Sequence, residues 1–186
     1  MILDAAVTLL AAIIIATHAW AMRNHFNMPG EVPNGTRIIS FLVIASAALF
    51  GFLTWTLQQP AFAQIIGLLV LLASYGLYWL TIGESSEAKL LSAFDEKNPH
   101  GLLKTGPYGY VRHPFYTSYL LLWGGWAIAC WNIWAIVPVV GMAATYWAAS
   151  RDEEGKFSTT AMAEDYAEYK RTTGRFFPRL FKAKAL

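Results

Sequence analysis

Long apolar stretches alternate with short polar ones along the chain. A helix needs roughly 20 mostly apolar residues to cross a bilayer. Ile2–Met22, Ile38–Leu57 and Ala61–Ile82 each fit that length, and only Gln58, Gln59 and Pro60 separate the second from the third. Phe115–Ser150 holds no charge at all and is too long for one crossing. It predicts a tight helical pair, broken near Cys130, Trp131 and Asn132, where a polar side chain sits among tryptophans. The pattern therefore predicts an all-α integral membrane protein of five transmembrane helices, ending in a helical C-terminal tail. Residues 1–82 carry three spans and almost no charge. Residues 83–186 carry two spans and nearly all of it.

Composition agrees. The chain is 56% hydrophobic and 14% charged, with a mean hydropathy of +0.39, against about 25% charged residues in ordinary soluble domains. Disorder is excluded, since it needs low hydrophobicity and high charge. A disulfide scaffold is excluded by the single Cys130. A net charge of +2 with no basic stripe in the first half argues against a nucleic-acid partner. The charges also set a direction. All 14 Lys and Arg fall in Arg23–Arg37, Gly83–Pro114 and the tail from Arg151. Cytoplasmic loops carry excess Lys and Arg, so the N-terminus is expected outside and the C-terminus in the cytoplasm. Ala19-Trp20-Ala21 resembles a signal-peptide cleavage site, but Asp4 precedes the apolar run and Arg23 follows it, which favours a retained span.

Chemistry concentrates in the second half. Gly101, Gly106, Gly109 and Pro107 make His100–Tyr116 a turn-rich loop whose backbone can approach a ligand closely. Pro114 suits the first turn of a helix, which places Arg112 and His113 at a helix N-terminus. Free N–H groups and partial positive charge there form a receptor for carboxylate or phosphate. Read blandly, the pair anchors lipid headgroups. At the end of the fifth span Asp152, Glu153 and Glu154 stand in a row, unfavourable to the helix dipole and explicable by a cationic ligand. Arg175, Arg179, Lys182 and Lys184, among Phe176, Phe177, Leu180 and Phe181, read as an interfacial segment on an anionic leaflet. His18 is an ionisable group within a span. His25 and His100 have no metal-ligand spacing, so no metal is expected.

His100, Leu102, Leu103, Thr105, Pro107 and Tyr108, then Val111, Arg112, His113, Pro114 and Tyr116, then Glu153 and Glu154 with Tyr166 and Tyr169 downstream, form two ordered blocks. They resemble the isoprenylcysteine carboxyl methyltransferase family, an integral-membrane group that is also similar to the phospholipid methyltransferases. The resemblance runs over about residues 98–178 and is to short prokaryotic members. It implies a cytoplasmic loop binding S-adenosyl-L-methionine, in a bacterial or archaeal inner membrane. His100, Gly101, Leu102, Leu103, Tyr108, Arg112, His113, Pro114, Phe115, Tyr116, Glu153 and Glu154 are its cofactor candidates. It also implies a substrate-side arginine one turn before Glu154. That position is Ser150 here, with Arg151 one residue later, so Arg151 and His113 stand as the catalytic candidates. The first three spans would shape the side facing a lipophilic small-molecule or lipidated acceptor from the membrane lipid. On charge grounds Glu154 suits the cofactor ammonium, Arg112 its carboxylate, and Tyr108 and Tyr116 its sulfonium through cation–π attraction.

Two other readings remain open in the sequence. Membrane sterol reductases, which use NADPH, carry a similar Arg-His element but have Asn where this chain has Phe115, and are much longer. A non-catalytic membrane subunit would use the polar clusters only as anchors.

Overall fold

The computed structural model describes residues 1–24, 34–87, 102–157, 159–160 and 162–179. His25, His100, Gly101 and the tail beyond Arg179 lie outside them. Among the described residues six α-helices form: α1 (Ile2–Asn24), α2 (Asn34–Thr56), α3 (Ala61–Glu87), α4 (Pro114–Cys130), α5 (Ile136–Phe157) and α6 (Ala163–Thr172). The apolar runs become helices because a bilayer leaves backbone groups no partner but each other. Among the described residues four segments, Ile2–Met22, Arg37–Thr56, Ala61–Ser86 and Ile133–Phe157, are long and apolar enough to cross a membrane. At 17 residues, α4 sits at the short limit of the spanning range. The chain is thus an integral membrane protein, and the expected count of five rests on α4.

The break between α4 and α5 is sharply built. Trp131 takes a left-handed backbone (φ +43°), which costs an L-residue about 1–2 kcal/mol. Asn132 then caps a 3-10 turn at Ile133–Ala135, its Oδ1 accepting from Trp134 N at 2.9 Å.

Two compact units partition the chain. The first comprises Met1–Tyr75 and Tyr119–Thr145. Its core is aromatic: Phe50 stacks on Trp123 and Trp126, with centroids 6.0 and 5.3 Å apart. Trp126 Nε1 donates to Thr54 Oγ1 (3.2 Å), which also meets Cys130 Sγ at 3.4 Å, so these three buried polar groups partner one another. Helices α3 and α4 approach closely at Gly67. A Cβ there would stand 2.6 Å from both Ala129 Cβ and Gly125 O, the small-residue contact that membrane helices favour. Phe41, Ile44, Leu69, Leu72, Val137 and Val140 are exposed. In water such a surface would be a liability, and in lipid it is the solvated face. His18, in this unit, packs its ring against Tyr119 at 4.5 Å.

The second unit comprises Gly76–Ser118 and Tyr146–Leu186. It holds the ends of α3 and α5, the start of α4, all of α6 and the loop between α3 and α4. That loop makes a 3-10 turn at Gly106–Gly109, entered through Gly106 at φ +53°. A side chain at Gly106 would also strike Glu84, which accepts a hydrogen bond from Thr105 Oγ1.

Candidate active site

Within the second unit, the segment after α6 returns to the start of α4 and runs beside it. Val111 and Gly174 form a parallel bridge. Arg112 N donates to Gly174 O (2.8 Å), His113 N to Arg175 O (3.1 Å), and Thr117 Oγ1 to Phe176 O (2.9 Å). Gly174 is required by close approach, since a Cβ would collide with the Phe177 carbonyl. Pro114, fully buried, opens α4 as its sequence predicts. The N–H groups of Arg112 and His113, expected to be free for an anion, are instead bonded to the chain's own carbonyls.

Glu154 is the centre of the cluster, its side chain 4% exposed. Its Oε1 accepts from Arg112 Nε (3.0 Å), pairs with Arg112 Nη2 (3.0 Å) and meets His113 Nε2 (3.1 Å). Its Oε2 accepts from Arg175 Nη2 (2.8 Å) and pairs with Lys170 Nζ at 3.5 Å. Arg112 also donates through Nη1 to Thr173 O. Glu153 pairs with His113 Nδ1 at 3.3 Å and accepts from the Tyr116 hydroxyl. Glu153 and Glu154, which the helix dipole disfavours, are thus held by groups from the segment before α4, from α6 and from the tail.

His113 therefore lies between two carboxylates, with one ring nitrogen on each. Burial disfavours its charged form, but the bonds and charges of Glu153 and Glu154 outweigh burial and raise its pKa above the ordinary value of 6.5. Tyr116 stacks with both His113 (5.6 Å) and Tyr146 (5.4 Å). Tyr108 lies on the 3-10 turn, its carbonyl accepting from Tyr169 Oη at 2.6 Å. Burial holds the hydroxyls of Tyr108, Tyr166 and Tyr169 well above the usual tyrosine pKa, so all three keep their protons at neutral pH.

The structure brings together Arg112, His113, Tyr116, Glu153 and Glu154 from the sequence candidates. Leu102 and Leu103 are half-buried in the loop before the 3-10 turn. Phe115 turns to Tyr78 on α3, 5.5 Å away, rather than to the carboxylates. Arg151 is exposed. The tail supplies another arginine, Arg175, which bridges Ser150 Oγ (3.2 Å) and Glu154 and lies 4.5 Å over the Trp147 ring. Arg175 thus departs from the lipid-anchoring role that its basic, aromatic segment implied. Lys170 and Thr173 were not anticipated either. The available signal was Gly174 and Pro178 around Arg175, which mark a structured turn rather than a frayed tail.

Comparison with known proteins bears on what this cluster is for. The phospholipid methyltransferase family model matches residues 62–168, more than half of the chain and including every member of the cluster from Arg112 to Glu154. The cobalt-zinc-cadmium resistance protein CzcN of Cupriavidus metallidurans is 34% identical over 147 residues, which cover 77% of this chain and 62% of that protein. The chain thus spans less than two thirds of that relative's length. Set beside the apolar helices and the buried carboxylate cluster, the match gives the conclusion that this chain belongs to the phospholipid methyltransferase family of integral-membrane methyltransferases.

Proposed function

We propose that the chain transfers a methyl group from S-adenosyl-L-methionine to a lipophilic or membrane-held acceptor, using the cluster around Glu154 as its donor site. The observation that carries this reading is a buried carboxylate, Glu154, whose outermost partner is a loosely held ammonium. Lys170 is the most exposed of its cations, at 46%, and has the longest contact. A ligand ammonium of the same charge can replace it at least cost. Arg112, by contrast, is 7% exposed and already bonded to Glu154 and Thr173, so it is a structural cation rather than a ready receptor for the donor's carboxylate.

When bound, S-adenosyl-L-methionine supplies an electrophilic methyl group, which passes in line to the acceptor atom as the carbon–sulfur bond breaks and leaves S-adenosylhomocysteine. The chain's contribution is alignment and electrostatics. Glu154 would hold the ammonium. Glu153, 20% exposed, would present a second negative charge near the sulfonium, and Tyr108 an aromatic ring. His113 fastens the two carboxylates in place. With its charged form favoured and both nitrogens engaged, it serves better as a strap than as a proton acceptor. This suits an acceptor that is already nucleophilic, such as a carboxylate or thiolate. The NADPH-reductase reading loses ground to family membership, and the cluster's burial gives the anchor-only reading little support.

Calorimetry on the detergent-purified protein tests the proposal, with S-adenosylhomocysteine as ligand and NADPH as control. Micromolar binding of the first and none of the second is expected. Glu154→Gln should weaken S-adenosylhomocysteine binding at least about tenfold, equivalent to about 1.4 kcal/mol. Wild-type affinity in that variant, or no binding by the wild type, overturns the assignment.

A further inference from the structure

We propose that Arg175 receives the anionic group, carboxylate or phosphate, of the methyl acceptor; the inference rests on the methyltransferase reading above. Charge balance motivates it. Arg112, Lys170 and Arg175 set three positive charges against those of Glu153 and Glu154, before His113 is counted. The raised His113 pKa adds to the surplus. A bound donor does not cancel it: its ammonium takes the place of that of Lys170 and its sulfonium offsets its carboxylate, so the surplus stays. A half-buried site with surplus positive charge favours an anion.

Geometry selects the group. Arg112 is closed off and Lys170 sits at the rim. The Arg175 side chain, 19% exposed, retains surface. Its guanidinium has five N–H donors, and the bonds to Ser150 and Glu154 take one from each Nη. Ser150 and Glu154 are one turn apart on α5, so the guanidinium spans that turn, with its Cζ over the Trp147 ring. Trp147 is 53% exposed and belongs to the apolar part of α5. An anionic head on Arg175 would leave a lipophilic tail running along Trp147 into lipid. Arg175 is thus an acceptor-binding residue supplied by the C-terminal segment, along a face of α5 where Ser150 has no charge of its own.

The test uses dodecanoate and dodecyl phosphate as anionic probes and dodecanol as the neutral one. Binding to the full-length protein in nonionic detergent is measured by calorimetry, with and without S-adenosylhomocysteine. The wild type should bind at least one anion more tightly than dodecanol, and the preferred anion identifies the head group. Arg175→Gln should lose at least about tenfold of that anion affinity with dodecanol binding unchanged. The double variant Arg175→Ala with Ser150→Arg should regain it. Ser150 is fully buried, so an arginine there fits only once Arg175 is gone. Equal anion affinity in wild type and Arg175→Gln, no anion binding by the wild type, a parallel loss of dodecanol binding, or a double variant no better than Arg175→Gln overturns the proposal. Failure of the wild type to bind S-adenosylhomocysteine sinks the donor reading instead, so the two failures are distinguishable.

Discussion

At the scale of single residues, the site is a contest for one carboxylate. Lys170 pairs with Glu154 Oε2, and on the proposed donor reading it competes there with the ligand ammonium. Lys170→Ala is therefore expected to raise S-adenosylhomocysteine affinity severalfold in the same calorimetric assay; reduced affinity would mean that Lys170 itself contacts the ligand. His113 carries a second prediction. Its pKa is raised in the folded chain, so the stability it adds is complete below about 6.5, the unfolded value, and is lost as pH rises through the native value. Thermal unfolding in detergent should show the wild type losing stability above neutral pH, while His113→Gln shows a flatter profile. An unchanged slope in the variant would assign the pH response to other groups. The sequence made Glu154 and His113 conspicuous by charge and position. It showed Arg175 only as one more cation among phenylalanines, because its partners lie some 20 to 25 residues earlier on another helix.

Among the elements, α4 and the tail behave as one. The start of α4 is tied to carbonyls of Gly174, Arg175 and Phe176, and Gly174 tolerates no side chain because of the Phe177 carbonyl. Gly174→Ala should therefore displace the tail while leaving the transmembrane helices intact. Limited proteolysis should cut the variant between α6 and Arg179 sooner than the wild type, with unchanged helix content by circular dichroism. Equal protease resistance would show that the tail can shift without detaching. The helices were legible because length and hydropathy alone decide which segments cross lipid. Pro114 and the Cys130–Asn132 break were legible because proline and a capping asparagine act locally. The pairing of α4 with the tail was not, since apart from the Thr117 hydroxyl its bonds use backbone groups, which every sequence has.

For the molecule as a whole, charge placement makes a statement about direction. All 14 Lys and Arg lie in the segments expected inside. In a Cys130→Ser background, single cysteines introduced at Gln59 and Lys156 can be probed in intact cells with a membrane-impermeant maleimide. Gln59→Cys should label from outside, and Lys156→Cys only after the membrane is opened. The reverse pattern would invert the topology and place the carboxylate cluster away from any cytosolic donor.

The bonds from the tail to α4 also have a consequence in time. A ribosome delivers the chain N-terminus first, so α1 to α5 are all synthesised before Gly174. The carbonyls that complete the α4 terminus, and the guanidinium on Ser150, appear only after all of those helices. A polypeptide stopped after Thr172 would be inserted and hydrophobically satisfied, yet would lack the groups that finish the cluster. On the proposed reading, activity thus requires translation to have passed Arg175, whereas membrane insertion requires only the helices before it.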